Sequence, residues 1–360
     1  MPGLYVDGKP VRKIVVSRLR FMGDVILTTP LLRALKAADP QVQIAYLVEE
    51  EYAPILWHHP HVDEIWTVRR RPGGLRGEWR QVRQMRRKMR EFGPDATIDL
   101  LGMPRSAFLL YLSGAPIRVG GPHRVRRRLY THVVEHGEPQ VSAIHYHLES
   151  LQPFGLSREW TEEDLRTYVH LQPKETDWAD KYLAHIARGQ RPVIGLHPGA
   201  TWPAKRWFPE RFGQLARELR QKLGAQVLIT TGPGEQWLQS EVYDAAEGAA
   251  IPLPVLKLRL LAALLARLDI FVTNDCGPMH LSVAVGTPTI GLFGPGEPNI
   301  WFPYQETRGH RALHHPCPLH PCHRDVCDDM TCFRDLEVDE VFEAVAWALE
   351  NARRRAAASE

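Results

Sequence analysis

Several features are scarce or missing in this chain of 360 residues. It has only five cysteines, too few for the dense disulfide framework of a small secreted domain. No apolar run approaches the roughly 18 residues of a membrane span, and the start, "MPGLYVDGKPVRK", lacks the apolar core of a signal peptide. The turn after the first predicted strand lacks G-x-G-x-x-G, the phosphate-binding turn of dinucleotide folds. We therefore expect a cytoplasmic protein that contacts membranes at most from the surface.

Strand and helix patterns alternate along the chain, which predicts an α/β fold with parallel sheets. Strands are predicted at "KIVVS", "VQIAYLV" and "EIWTV", and the pattern restarts at "PVIGLHPGA", "AQVLITTGPGE" and "IFVTN". The length fits about two domains, so we predict two Rossmann-like domains facing a cleft. The predicted bounds are 1–165 and 191–337 for the domains, 166–190 for a linker and 338–360 for a C-terminal helix.

Positive charge is concentrated in the first half of the chain, although the net charge is only +3. Ten basic residues and one acid, Glu78, lie between Arg69 and Arg90, and "RVRRR" spans Arg124 to Arg128. Such density favours an anionic partner, which on charge alone is a phospholipid, an acidic sugar or a nucleic acid. The alternative is a solvated helix face.

The segment "SRLRFMGDVILTTPLLRAL" places Gly23 and Asp24 where the first strand turns into a helix. A carboxylate at this position is a candidate general base if it reaches a substrate hydroxyl. The alternative is that Asp24 only caps the helix.

The segment "TNDCGPMHLSVAVG" carries a second set of candidates. Asp275 ends a strand, and Cys276-Gly277-Pro278 opens a helix whose free N–H groups favour an anion such as a diphosphate. His280 lies near the same helix end. The alternative is that Asp275 only caps the helix and that His280 is an ordinary histidine of the core.

Two further segments end at predicted strand edges. In "GLHPGATWPAKRWFPERF", His197 and Gly199 follow the strand, and Lys205 lies in the next loop, where it can neutralise a leaving phosphate. In "TGPGEQ", Glu235 can bind ribose hydroxyls. The alternatives are that Lys205 is only a solvated lysine and that Glu235 is an ordinary acid at a helix N-terminus.

Taken together, "SRLRFMGDVILTTPLLRAL", "LHPGATWPAKRWFPERF" and "TNDCGPMHLSVAVGTPTIGLFGP" resemble glycosyltransferase family 9, the ADP-heptose:lipopolysaccharide heptosyltransferases, from about Lys13 to Ala348. The resemblance implies a GT-B fold, with the donor nucleotide in the C-terminal domain and the acceptor in the N-terminal one. It also implies an inverting transfer of heptose from ADP-heptose to the lipopolysaccharide inner core. Whether the acceptor sugar is Kdo or an earlier heptose stays open.

The resemblance assigns roles by position. Asp24 matches the catalytic base and Lys205 the diphosphate-binding lysine. The remaining predicted donor-binding residues are His197, Gly199, Glu235, Asp275, Cys276, Gly277 and His280, and the predicted acceptor-binding residues are Gly23, Arg124 and Arg126. The sequence has no Asp-x-Asp pair, which fits a transfer that needs no cofactor because Lys205 and helix amides replace a metal cation.

The cysteine-rich segment, residues 317–332, repeats a thiol every five residues at Cys317, Cys322, Cys327 and Cys332. A structural zinc ion held by these thiols is one interpretation, although common zinc sites have tighter C-x2-C spacing. Reduced thiols in a packed loop are the other main one. The expected partners are ADP-heptose, an anionic lipid-linked oligosaccharide acceptor and the inner face of the inner membrane, with no nucleic acid. The alternatives are a GT-B transferase using another nucleotide sugar and a basic nucleic-acid-binding protein with a cysteine metal site.

Overall fold

The chain forms two compact units, the first ending at His170 and the second beginning at Leu171. A computed structural model describes residues 3–123, 125–135, 142–322 and 324–357. Each unit contains its own parallel sheet, so the predicted fold class of two Rossmann-like parallel-sheet domains is confirmed.

The first unit opens with an antiparallel hairpin, β1 (Leu4–Val6) and β2 (Lys9–Val11). The strands of its sheet are β3 (Lys13–Ser17), β4 (Gln43–Glu49), β5 (Glu64–Val68), β6 (Ala96–Asp99), β7 (Ile117–Gly120) and β8 (His132–Val133). Their spatial order is β5-β4-β3-β6-β7-β8, and all neighbouring strands are parallel. The helices are α1 (Met22–Leu27), α2 (Thr29–Ala38), α3 (Gly74–Phe92), α4 (Pro104–Tyr111) and α5 (Ala143–Glu149).

Helix α3 contains the basic stretch, and the hydrophobic pattern explains how it is held. Met85, Met89 and Phe92 are buried on one side of the helix and join the core of the first unit, while most of its arginines are exposed. The sequence pattern predicts this helix from Trp79, whereas the structure begins it at Gly74, after Gly73 in the left-handed region at φ 93°.

The second unit repeats alternating strands and helices. Its strands are β9 (Val193–His197), β10 (Gln226–Ile229), β11 (Ala250–Pro252), β12 (Ile270–Asn274), β13 (Thr289–Phe293) and β14 (Arg311–His314), in the order β11-β10-β9-β12-β13-β14. Its helices are α6 (Pro173–Ala187), α7 (Pro209–Leu223), α8 (Gln236–Ala245), α9 (Leu258–Leu265), α10 (Gly277–Ala284), α11 (Pro298–Trp301), α12 (Thr331–Arg334) and α13 (Val338–Ala357). Strands β9, β12 and β13 are buried at every residue, as expected for parallel strands covered on both faces.

Most of the predicted linker over 166–190 is helix α6. Its start has a capping arrangement in which the Gln172 N–H donates to Glu175 Oε2 at 2.8 Å. The Glu175 carboxylate also pairs with Arg259 of α9, and both side chains are largely buried. Helix α13 likewise belongs to the second unit, since Val341 and Val345 lie in its core.

The strand orders fix where ligands can collect. In the first sheet the chain runs outward from β3 to β5 and then crosses to β6 on the other side of β3, and in the second sheet β9 and β12 have the same relationship. Ligands of open parallel sheets bind beyond the carboxyl ends of the strands, at the point where the order reverses. The loops after these four strands therefore position the candidate site residues.

Candidate active site

Asp24 lies in the loop and short helix that follow β3. It is the third residue of α1, and its Oδ2 accepts a hydrogen bond from the Phe21 N–H at 2.9 Å. Its Oδ1 accepts from Arg18 Nη2 at 2.6 Å, and both side chains are about 15% exposed. Asp24 therefore caps the helix, yet a carboxylate has about four lone-pair directions, so capacity remains for a substrate hydroxyl.

Arg18 is a site residue that the sequence analysis missed. Its Nη1 donates to the Leu100 carbonyl at 2.5 Å, so one guanidinium joins the end of β6 to the Asp24 carboxylate. The only available signal was its position directly after β3. Spacing alone does not reveal that a side chain six residues before Asp24 turns back onto it.

Asp99, at the end of β6, is a second missed residue at this sheet edge. It is 4% exposed and accepts hydrogen bonds from Ser106 Oγ at 3.0 Å and Tyr130 Oη at 2.8 Å, as well as from the N–H groups of Leu101 and Gly102. Burial raises the pKa of Asp99, and these hydrogen bonds oppose that rise. Asp99 therefore fixes the loop on which Leu100 meets Arg18.

The predicted acceptor-binding residues are only partly described. Gly23 is buried as the second residue of α1. Arg126 lies in a short 3-10 helix, Val125–Leu129, and its Nε is buried without a hydrogen-bond partner among the described residues. Arg124 lies outside the described residues. The acceptor assignments stay predictions.

In the second unit, the structure brings Lys205 and Asp275 together. Lys205 Nζ lies 2.5 Å from Asp275 Oδ2, although the two residues are 70 positions apart. Lys205 ends a 3-10 turn after β9, Asp275 directly follows β12, and the ammonium also lies over the Trp202 ring at 4.8 Å from its centroid. A Cβ at Gly296 would lie only 2.7 Å from Asp275 Oδ2, so that glycine leaves room for the carboxylate.

Asn274, at the end of β12, links this strand to the loop that carries Lys205. Its Nδ2 donates to the Pro198 carbonyl at 2.8 Å, and its Oδ1 accepts from the Trp207 N–H at 3.1 Å. Asn274 is fully buried. The amide thus fixes the path of the chain on either side of Lys205.

Helix α10 begins beside this ion pair. Cys276 is its N-cap residue and Pro278 lies in its first turn, so the N–H groups at the start of α10 have no partner within the helix. Burial raises the pKa of the Cys276 thiol to about 12, so the thiol is neutral near pH 7. His280 is 5% exposed, and its Nδ1 lies 2.7 Å from Tyr304 Oη.

The predicted residues His197, Gly199 and Glu235 form a second group at the same sheet edge. His197 Nε2 lies 4.0 Å from Glu235 Oε2, and its Nδ1 lies 2.9 Å from Thr230 Oγ1. A Cβ at Gly199 would lie 2.2 Å from Glu235 Oε2, and one at Gly232 would lie 2.6 Å from it. The two glycines therefore make the space that the Glu235 carboxylate occupies.

The charge state of this group follows from burial. Burial lowers the pKa of His197 to about 4, so His197 is neutral near pH 7 and makes no ion pair with Glu235. Burial raises the pKa of Glu235, while the Gly232 N–H and the Arg206 guanidinium oppose that rise. Glu235 Oε2 accepts a hydrogen bond from the Gly232 N–H at 3.2 Å, at the edge of the sheet.

The cysteine-rich segment packs against the loops of Lys205 and Asp275. The Ala204 N–H donates to the Asp325 carbonyl at 3.0 Å, and His320 Nε2 lies 3.0 Å from the Gly296 carbonyl. All five cysteines are free thiols. Within the described ranges, which exclude His323, no three His, Cys, Asp or Glu side chains are arranged to hold a metal ion. Cys332 nevertheless lies close enough to Cys317, Cys322 and Cys327 for their charges to interact. The predicted zinc site stays a prediction.

Two Rossmann-like units, each with polar side chains at the carboxyl edge of a parallel sheet, give the GT-B fold. The sequence pattern of "Glycosyltransferase family 9 (heptosyltransferase)" matches residues 82–328. The chain is 30% identical over 339 residues to lipopolysaccharide heptosyltransferase 1 of Pseudomonas aeruginosa, covering 88% of this chain and 87% of that protein. The chain belongs to glycosyltransferase family 9 and is a glycosyltransferase.

Two further similar proteins are also heptosyltransferases by name. Lipopolysaccharide heptosyltransferase 3 of Escherichia coli K12 is 26% identical over 299 residues, covering 80% of this chain and 84% of that protein. The solved structure of E. coli ADP-heptose lps heptosyltransferase II superimposes with a TM-score of 0.77 at 23% identity, over 95% of this chain and 99% of that one. The structural likeness confirms the fold.

Proposed function

We propose that this glycosyltransferase moves heptose from ADP-heptose to the inner core of lipopolysaccharide, with inversion at the anomeric carbon and without a metal ion. The observation that carries the proposal is the Lys205–Asp275 pair at the start of α10, on the reversal point of the second sheet. The names of the relatives support heptose as the sugar and lipopolysaccharide as the acceptor. The name of the superimposed E. coli enzyme supports ADP as the carrier.

The second unit would bind the donor. The Lys205 ammonium and the N–H groups of Cys276 and Gly277 are the donors for a diphosphate, and the leaving ADP gains charge in the transition state. Glu235 would accept hydrogen bonds from ribose hydroxyls. His197 and Gly199 would line the same edge, and His280, held by Tyr304, would support the first turn of α10.

The first unit would bind the acceptor and remove its proton. Asp24, held by Arg18, would accept the hydrogen of the acceptor hydroxyl as that oxygen attacks the anomeric carbon. The C–O bond to the diphosphate breaks in the same step, ADP leaves with the electron pair, and a single displacement inverts the anomeric centre. Gly23 and Arg126 would contact the acceptor.

The acceptor chemistry implies a place of action. A lipid-linked oligosaccharide lies in a membrane leaflet, and we assign the chain to the cytoplasmic side of the inner membrane with peripheral contact through its basic surface. No helix within the described ranges is long and apolar enough to cross a membrane. A structural zinc ion at Cys317, Cys322, Cys327 and Cys332 stays a separate proposal, tested by elemental analysis of the purified protein before and after Cys322→Ser.

The proposed reaction is tested by incubating the purified chain with ADP-heptose and heptose-deficient lipopolysaccharide. We expect the acceptor mass to rise by one heptose and the anomeric proton to report inversion by NMR. UDP- and GDP-sugars should give no product. Transfer from one of those donors alone would assign the chain to another nucleotide-sugar specificity within the same fold.

The role of Asp24 is tested by Asp24→Asn. Asparagine is nearly as good a helix cap as aspartate, but it is no base, so kcat should fall by roughly 10² to 10⁴. ADP affinity should not change, because the proposed donor-binding residues lie in the other unit. Asp39→Asn, an acid at the end of α2 in the same unit, is the matched control. An Asp24→Asn enzyme that retains most of its turnover would mean that Asp24 is only a cap.

A further inference from the structure

The carboxyl edge of the first sheet holds two carboxylates that differ in how many hydrogen bonds they accept from the described residues. Asp24 accepts two, from the Phe21 N–H and from Arg18 Nη2. Asp99 accepts four, from Ser106 Oγ, Tyr130 Oη and the N–H groups of Leu101 and Gly102. Because a carboxylate has about four lone-pair directions, Asp99 is saturated, whereas Asp24 keeps the capacity to accept a proton.

Asp99 lies between two other strand ends. In the parallel register it is paired with Ser17, the last residue of β3, and with Gly120, the last residue of β7. Tyr130 reaches Asp99 across Gly120, where a Cβ would lie only 2.5 Å from Tyr130 Cζ. The glycine therefore leaves the space in which the phenol meets the carboxylate, with Oη at 2.8 Å from Oδ2.

A continuous run of hydrogen bonds leads from Tyr130 to Asp24. The Asp99 carboxylate holds two N–H groups of the loop after β6, at 3.1 and 3.0 Å. The Leu100 carbonyl of that loop accepts from Arg18 Nη1 at 2.5 Å, and Arg18 Nη2 donates to Asp24 Oδ1 at 2.6 Å. Because the donors of a guanidinium have a fixed planar geometry, the Leu100 carbonyl sets the direction from which Arg18 holds Asp24.

Burial strengthens the first link of this run. Asp99 is 4% exposed and Tyr130 is 8% exposed. Burial and the Asp99 charge raise the pKa of Tyr130, so the phenol keeps its proton and stays a donor. Hydrogen bonds to a charged group are stronger than neutral ones, and more so away from water. The loop after β6 is therefore held by Tyr130 Oη as firmly as by its own backbone.

The far end of the run is fixed to the sheet. Tyr130 directly follows the basic 3-10 helix Val125–Leu129. Arg118 of β7 donates from Nε to the Leu129 carbonyl at 2.8 Å, which holds the backbone next to Tyr130. The run thus begins and ends on residues whose positions the strand ends determine.

We propose that Arg18, Asp99 and Tyr130 are positioning residues that hold the Asp24 carboxylate in the direction from which it removes the proton of the acceptor hydroxyl. Their action on the reaction goes through Asp24 alone. The inference rests on the proposed function, because it requires Asp24 to be the base.

Tyr130→Phe in the full-length enzyme is the first test, because phenylalanine keeps the ring that packs over Gly120 and removes only Oη. A misdirected base slows the reaction without weakening binding, so kcat should fall about tenfold while both KM values stay within about twofold of wild type. Tyr5→Phe, on a tyrosine of β1 that is 48% exposed, is the matched control and should change nothing. A Tyr130→Phe enzyme with the kcat of wild type overturns the proposal.

A double-variant comparison shows whether Tyr130 acts through Asp24. In the Asp24→Asn background there is no base left to direct, so adding Tyr130→Phe should change the residual kcat by less than about twofold. A general loss of structure would lower kcat by the same factor in both backgrounds. Equal factors therefore overturn the proposal.

The third test replaces the guanidinium of Arg18. Arg18→Ala should lower kcat about hundredfold, and millimolar guanidinium chloride should restore much of it by entering the space that the side chain leaves. Sodium chloride at the same concentration should restore nothing. Arg12→Ala, on an exposed arginine of the same unit, is the control and should keep the wild-type kcat with and without guanidinium. A loss that guanidinium does not reverse overturns the role of Arg18.

Failure of this inference differs from failure of the proposed function. If wild type and Asp24→Asn behave as proposed while Tyr130→Phe is fully active, only the positioning residues are wrong. If wild type transfers a different sugar, the proposed donor is wrong, and the same variants measured with that sugar decide the positioning. A wild type that transfers no sugar overturns both.

Discussion

Lys205 and Asp275 form an ion pair at the edge of the second sheet, so the diphosphate of the proposed donor would share the ammonium with a carboxylate already bound to it. Both side chains are largely buried, and in such surroundings removing one partner leaves an uncompensated charge. A single substitution therefore mixes a loss of phosphate binding with a loss of stability. The two effects have to be separated by design.

We expect Lys205→Gln to lower kcat/KM for the donor by roughly 10² to 10³, because it removes an aligned electrostatic stabiliser of the leaving group. The double variant Lys205→Gln with Asp275→Asn should recover melting temperature without recovering turnover. Lys222→Gln, on an exposed lysine of α7, is the matched control, and EDTA should leave the wild-type rate unchanged. Turnover of Lys205→Gln within twofold of wild type would remove Lys205 from the mechanism.

The residues that sequence reasoning selected share one property: they follow buried strands. Asp24, Lys205 and Asp275 come after apolar runs whose ends were predictable, so their arrival at sheet edges was predictable too. Arg18 follows β3 and Glu49 ends β4, but neither belongs to a motif. Their contacts depend on the path of a loop and on a neighbouring strand, and neither is encoded in local spacing.

At the scale of elements, helix α3 has two faces of different composition. Its buried face packs on the first core through Met85 and Met89. Its other side exposes Leu75 at 82% and Trp79 at 72%, four residues apart on the same side, among exposed arginines. Apolar anchors within a basic helix suit a membrane carrying anionic lipids.

We expect the full-length chain to bind vesicles that contain phosphatidylglycerol and not vesicles of phosphatidylcholine alone. Leu75→Ser with Trp79→Ser should weaken that binding about tenfold, since the interfacial burial of two large apolar side chains is lost. Trp57→Ser and Tyr243→Ser, on exposed aromatics of each unit, should have no effect. Vesicle co-sedimentation measures both. Equal binding by the double variant would leave α3 as a solvated basic face.

Helix α6 lies in the segment that composition predicts as a linker, because the segment is polar and contains a proline. Yet Pro173 stands at the first helical position, Glu175 closes a capping box, and Ala179, Leu183 and Ala187 recur at four-residue spacing on the buried side. These are helix signals, so the element was readable from the sequence. The contact of Glu175 with Arg259, 84 residues away, could not be read from local sequence.

At the scale of the whole molecule, each unit has its own core, and buried histidines tie its stability to pH. In the first unit, His59 is 4% exposed, and burial lowers its pKa to about 3. Above pH 6.5 the imidazole is neutral in both folded and unfolded chains. Below that pH, His59 becomes protonated in the unfolded chain but stays neutral in the folded chain. The free energy of unfolding therefore falls as the pH falls.

His59→Gln should remove this dependence. The slope for one such group is about 1.4 kcal/mol per pH unit, so between pH 6.5 and 5 the wild type should lose roughly 2 kcal/mol more than the variant. Glu49 and Asp99, whose pKa values burial raises, act in the opposite direction equally in both proteins and cancel in the difference. Denaturant unfolding at several pH values measures this difference in the free energy of unfolding. Parallel pH curves for the two proteins would contradict the prediction.

The two sheets have matching strand orders, and the same type of charge pair occurs in both units. In each unit a cationic side chain follows the first strand of the sheet and pairs with a carboxylate, Arg18 with Asp24 in one and Lys205 with Asp275 in the other. In the proposed mechanism, the first unit would offer its carboxylate to the substrate, and the second unit would offer its cation. If that mechanism holds, one type of charge pair serves both the oxygen that enters the anomeric centre and the oxygen that departs from it.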